Sequence, residues 1–213
     1  MAYICLYPWA IPAHYDESRK GGYYPITLKT RVPVSVSPYF VGMAALCLAA
    51  GPAWRFGLAL AFAALHELGH LAAMSAMRLR PSRVCLTAAG MRIERPPGLQ
   101  ISFAREIAIA SAGPAVSLIL AGIFYLLPLP PELCYINLGF GLFNLLPVRQ
   151  LDGGRALYFF LCRHVSEAAA NRVVMAASLA CLFLAGAGAA LLCLRQGFSL
   201  SAVIAVLYLA AGC

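Results

Sequence analysis

The sequence predicts an all-α polytopic membrane protein, with about six transmembrane helices and a small cytoplasmic-side β-hairpin. Three observations carry this. Of 213 residues, 62% are hydrophobic and only 11% are charged, giving a mean hydropathy of +0.80. A soluble domain carries about a quarter charged residues. Apolar runs long enough to span recur along the chain, a span needing about 20 residues. Finally, Lys and Arg fall on alternate connections between those runs.

The runs set the elements in order. The first span is about 35–52 and the second about 54–77, with Gly51-Pro52 between them. The third, about 106–128, follows Arg105 and ends at Pro128-Leu129-Pro130-Pro131. The fourth starts near Leu133 and is interrupted around Pro147; its continuation, Ala156 to Cys162, is a candidate short helix of its own. The fifth is about 168–194 and the sixth about 198–212, parted by Gln196-Gly197. Between spans two and three, Val84 to Thr87, a turn at Ala88-Ala89-Gly90, and Met91 to Arg95 have the alternation and turn chemistry of a hairpin. Three parts result: residues 1–33, an N-terminal interfacial segment; 34–165, a core with spans one to four; and 166–213, spans five and six.

Charge gives sidedness. The N-terminal segment and the second and fourth connections hold fourteen of the sixteen Lys and Arg; the remaining connections hold two. Positive charge stays cytoplasmic. The expectation is a multi-pass protein of the cell membrane with both termini cytoplasmic and the hairpin on that side. The net charge of +8 then belongs to helix-anchoring arginines, and nucleic acid is not an expected partner. Pro8, Pro12, Asp16, Glu17, Arg19 and Lys20 interrupt any signal-peptide core. The Tyr- and Pro-rich start, including Tyr3, Tyr7, Trp9 and Tyr15, suits the lipid–water interface. Eight scattered cysteines with no C-x-x-C pair argue against a disulfide framework or a thiolate metal site.

The second span contains an anomaly, His66-Glu67-Leu68-Gly69-His70, amid residues suited to lipid. Ionisable groups at membrane depth are costly and mark functional sites. Residues four apart share a helix face, so His66 and His70 can hold one ion while Glu67 reaches a water bound to it. This is the mechanical content of H-E-x-x-H. Zinc requires a third protein ligand and an open position. Of the other acids, Asp152 alone lies in an apolar context beside backbone-permissive residues, in Asn144-Leu145-Leu146-Pro147-Val148-Arg149-Gln150-Leu151-Asp152-Gly153-Gly154. The charge pattern puts both segments towards the cytoplasmic face. His14 and His164 have no such partners and read as surface residues. Gly153-Gly154 has a simpler reading as a turn, and Asn144 as an interhelical amide.

The pair of segments resembles the site-2 protease family of intramembrane zinc metalloproteases, whose pattern is H-E-x-G-H in one helix and N-x-x-P-x-x-x-L-D-G in a later one. Ala112-Gly113-Pro114-Ala115 is similar to the family's A-G-P element. The resemblance covers about residues 34–165, and the layout looks most like the bacterial stage IV sporulation protein FB-like branch. It implies a Zn2+ cofactor held by His66, His70 and Asp152, Glu67 as the catalytic base, and Asn144 and Pro147 as substrate-binding residues. It also implies regulated intramembrane proteolysis of a membrane-associated or single-span protein near the cytoplasmic face, such as a sigma-factor pro-sequence or a membrane-tethered regulator, with a regulatory membrane protein as a partner. In this chain Gln150 stands where many members have a second proline, and Ser117 where an amide is common. Two other functions fit the same ligands: a divalent-metal transporter and a catalytically silent scaffold. A transporter calls for further polar steps across the bilayer, and spans one, three, five and six are nearly free of them. A silent scaffold calls for loss of a ligand or of Glu67, and all are present.

Overall fold

The computed structural model describes residues 26–28, 34–37, 52–87, 90–94 and 101–196, with single helical positions at 41, 45, 206 and 210. The chain divides into two units, Met1–Met43 with Pro81–Leu99, and Ala44–Arg80 with Gln100–Cys213.

The first unit holds a four-stranded sheet of order β1-β2-β3-β4: β1 Ile26–Leu28, β2 Val34–Val36, β3 Arg83–Thr87 and β4 Gly90–Glu94. β3 and β4 pair antiparallel, with Thr87 opposite Gly90 and Arg83 opposite Glu94. β2 joins β3 in parallel, Val34 opposite Val84, and β1 closes back antiparallel on β2. The sequence reading placed a hairpin alone here. Val34–Val36 also occupies the expected start of the first span at 35; three-residue strands are too short to show a period-two pattern.

The second unit is helical: α1 Ala53–Ala76, α2 Phe103–Leu126, α3 Pro131–Asn144, α4 Asp152–Leu161 and α5 Glu167–Gln196. α1, α2 and α5 are each long and apolar enough to cross a membrane. At 1.5 Å per residue, the 24 residues of α1 run about 36 Å, against a hydrocarbon core of about 30 Å. α3, with 14 residues, reaches only about 21 Å. It opens on Pro131, whose fixed φ suits a first helical position, and stops three residues before Pro147, which disfavours helix in the residue preceding it. The expected spans at 35–52 and 198–212 lie almost wholly outside the described residues, as does the Tyr- and Pro-rich segment.

α1 ends in a defined stop. Arg78 takes a left-handed φ of 58°, Arg78 N–H donates to Ser75 O at 2.9 Å, and Leu79 N–H donates to Met74 O at 2.9 Å. That bond pair satisfies carbonyls orphaned at a helix terminus, and Met74 and Leu79 are both buried.

α2 is the central helix, packing on α1, α3 and α4. Its buried residues Glu106, Ile109, Ala110, Gly113, Pro114, Ser117 and Ala121 recur at three and four, the spacing of one face. The buried face of α1 is Phe62, His66, Gly69, His70 and Met74, whereas Leu65 and Leu68 point outward. The polar pair therefore faces protein. The two helices meet closely at Gly69: a Cβ there would lie 2.8 Å from Ala112 O and 2.8 Å from Val116 Cγ2. Phe62 and Phe124 continue the seam edge-to-face at 5.6 Å.

Candidate metal centre

Two helices bring the ligand atoms together. α1 presents His66 and His70 one turn apart. Asp152 opens α4, one turn earlier than the short helix expected from Ala156, with Leu151 as its N-cap. A carboxylate in a first helical turn faces the positive end of the helix dipole. Asp152 Oδ2 lies 3.1 Å from His66 Nε2 and 3.2 Å from His70 Nε2, and the two Nε2 atoms are 3.3 Å apart. A tetrahedral zinc with ligands at about 2.0–2.1 Å holds them about 3.3 Å from one another. Both imidazoles are buried.

The chemistry of the donor set fits a cation at the same point. His70 Nδ1 is 2.7 Å from the carbonyl oxygen of Ile109. A carbonyl only accepts, so Nδ1 carries the hydrogen, and in the neutral ring Nε2 is a bare lone pair. The other end of His66 is held by Ser117, whose Oγ is 2.9 Å from His66 Nδ1. Two ring nitrogens and a carboxylate oxygen thus converge within a triangle of about 3 Å, the donor set and spacing that a tetrahedral metal takes. Asp152 supplies the carboxylate that a metal requires.

α2 contributes no ligand but shapes the seat. Ile109, Gly113 and Ser117 are four apart and share a face. A Cβ added at Gly113 would collide with His70 Nε2 and stand 2.6 Å from His66 Nε2. The A-G-P element thus has a local physical reason: its glycine keeps the ion's seat empty of carbon. Sequence reasoning missed the roles of Ile109 and Ser117. Their signal was the spacing of four either side of Gly113.

The segment between α3 and α4 is fixed from outside. Val148 and Leu151 are buried against Phe143, Leu146, Cys181, Leu182 and Ala185, the last three from α5. Arg149 N–H donates to Ser178 Oγ at 2.9 Å, and the Ser178 hydroxyl donates to Val174 O at 2.8 Å. Gly153 and Gly154 form the first turn of α4 rather than a simple turn. A Cβ on either would strike backbone of the incoming loop, at Leu145 O or Val148 O. Both glycines thus let the loop fold over the helix start that bears Asp152.

Glu67 follows His66 on α1 and is half-buried; its electrostatic neighbours are His70, His66, Asp152 and Arg155. Asn144 is the last residue of α3, and its Nδ2 donates to Phe140 O at 3.0 Å, the simpler reading of that amide. Pro147 sits half-buried in the anchored loop. The structure therefore groups His66, His70 and Asp152 and sets Glu67 beside them, with Asn144 at the end of α3 and Pro147 in the loop that leads to α4.

Residues 132–185 match the model of peptidase family M50. This stretch includes Asn144, Pro147 and Asp152, and not the His66–His70 motif. The solved structure of the site-2 protease from Methanocaldococcus jannaschii is similar over 89% of this chain and 93% of that one, with a TM-score of 0.64 and 22% identity. No curated protein matches the chain. The family match over residues 132–185 and the shared fold agree with the two motifs and their convergence in space: the chain is similar to the site-2 protease family of metalloproteases.

Proposed function

We propose that this metalloprotease uses zinc, bound by His66, His70 and Asp152, to hydrolyse a peptide bond of a membrane-associated or single-span protein, near the cytoplasmic face. The observation that carries the reading is the triangle of three metal-ligating atoms 3.1–3.3 Å apart, beside a carboxylate that is not one of them. Imidazole and carboxylate ligands suit zinc. When bound, zinc polarises a water and the scissile carbonyl. Glu67 takes the proton of that water as it attacks, then returns it to the leaving amine. Ser117 and Ile109 hold the far nitrogens of His66 and His70, fixing both rings. Asn144 and Pro147 hold the substrate beside the metal.

A spanning substrate has its carbonyls bonded within its own helix and must unwind first. An edge strand such as β4 offers unpaired backbone groups to an unwound segment. The alternation of Lys and Arg supports both termini inside, and the substrate classes that fit a cytoplasmic-side site are a sigma-factor pro-sequence and a membrane-tethered regulator, as in the sporulation protein FB-like branch. A regulatory membrane protein is the corresponding partner.

The test is cleavage of a single-span substrate by purified, zinc-loaded protein, wild type against Glu67→Gln. Wild-type cleavage and a silent variant are expected. Equal cleavage by both would remove Glu67 from the mechanism. Zinc flux into proteoliposomes without cleavage would favour a transporter.

A further inference from the structure

We propose that Arg155 is a further catalytic residue, its guanidinium donating hydrogen bonds to the oxyanion that develops on the scissile carbonyl. The assignment rests on the protease reading above and names a second electrophile for it. Arg155 lies three residues after Asp152 on α4, and residues so spaced are neighbours on one helix face, about 5–6 Å apart at Cβ. Its main chain is fixed, with Arg155 N–H donating to Leu151 O at 3.1 Å. The side chain is half-buried. Its guanidinium lies within electrostatic reach of both Glu67 and Asp152. Among the described residues its guanidinium makes no hydrogen bond or ion pair, which leaves its five donors for something else.

The chemistry gives the charge a use. With one carboxylate and two neutral imidazoles as ligands, a divalent ion keeps a net charge of about +1, and Glu67 is an anion beside it. As water adds to the carbonyl, negative charge grows on the carbonyl oxygen while Glu67 becomes neutral by taking the proton. A fixed cation at the rim stabilises that redistribution and favours the transition state over the uncharged amide. Arg155 accepts and releases no proton in this step; its guanidinium stays protonated throughout.

The experiment uses the full chain in detergent, loaded with zinc, in wild-type, Arg155→Gln and Arg155→Lys forms. Peptidase rates are read on a library of unfolded fluorogenic peptides. Binding is read with two probes built on the best-cleaved sequence. One is the intact peptide, titrated against Glu67→Gln and the Glu67→Gln/Arg155→Gln pair. The other is its phosphinic analogue, which carries a tetrahedral anion. Arg155→Gln is expected to lower kcat about 10²–10³-fold, the usual loss for one oxyanion donor, with KM within about threefold. Phosphinate affinity should fall in step, intact-peptide affinity and zinc content should hold, and Arg155→Lys should recover at least about tenfold of the lost rate, retaining charge without the fork. The assignment is overturned if zinc content falls with activity, if both probes weaken equally, or if kcat is unchanged while wild type cleaves. Absence of cleavage by zinc-loaded wild type would overturn the protease reading and this assignment together.

Discussion

Gly113→Ala puts a methyl group directly onto the two imidazoles. One methyl group enters at a point 2.6 Å from His66 Nε2 and closer still to His70 Nε2. A carbon–nitrogen contact settles at about 3.5 Å, so each ring must withdraw by roughly 1 Å. The ligand triangle has sides of 3.1–3.3 Å, and metal–nitrogen distances tolerate about 0.2 Å. The rings cannot follow freely, because Ile109 and Ser117 hold their far nitrogens. Overpacking of this kind costs about 1–3 kcal/mol, and charged against metal binding it predicts zinc affinity lower by about 5–150-fold. The same helix supplies the control. A Cβ at Gly122 meets nothing within 4 Å, so Gly122→Ala should be neutral or slightly stabilising, as Gly is poorer than Ala inside helices. Chelator competition on both purified variants measures the effect. Wild-type zinc affinity in Gly113→Ala, or an equal loss in Gly122→Ala, would refute the seat assigned to this glycine.

Other outcomes follow from the same geometry. Glu67→Gln should retain zinc at the wild-type ratio while turnover falls at least about 10²–10⁴-fold, the range for a lost general base; metal analysis beside the peptidase assay checks both halves. Ser117→Ala leaves His66 Nδ1 without its partner and should weaken zinc about 10–100-fold, the usual effect of an outer-shell loss, read by the same chelator competition. Ser178→Ala removes the acceptor of Arg149 N–H beneath a buried loop. It should cost about 1–3 kcal/mol, seen as earlier thermal unfolding in detergent with faster zinc release.

Much of the metal site was legible in the sequence because its signals are local. His66 and His70 are four apart, and ionisable residues are conspicuous in an apolar run. Asp152 stood out by its surroundings. The long helices were legible for a related reason: bilayer thickness imposes a length that apolar runs reveal, and the observed ends of α1 and α2 fall within a few residues of the expected ones. What escaped depends on partners distant in sequence. β1 and β2 are three residues each, and β2 is ordered by pairing with β3 some fifty residues on. α4 begins at Asp152 because two glycines let the loop lie on it, which periodicity does not encode. Ser117 read as a departure from a family pattern and proves to face His66; Ser178, inside the expected fifth span, holds the loop.

The stripe on α2 has a consequence for assembly. A carbonyl acceptor, a gap and a hydroxyl recur along one ridge at the pitch of the two histidines opposite. Sliding α2 along α1 by a single residue's rise, about 1.5 Å, would break both imidazole contacts and push a side chain into the gap at the same time. The centre is therefore a gauge of helix registration: it accepts metal in one alignment of the pair and refuses it in the adjacent ones. Because a ligand stabilises the state that binds it, metal loading selects that alignment during membrane assembly, and metal content would report whether the bundle has been put together correctly.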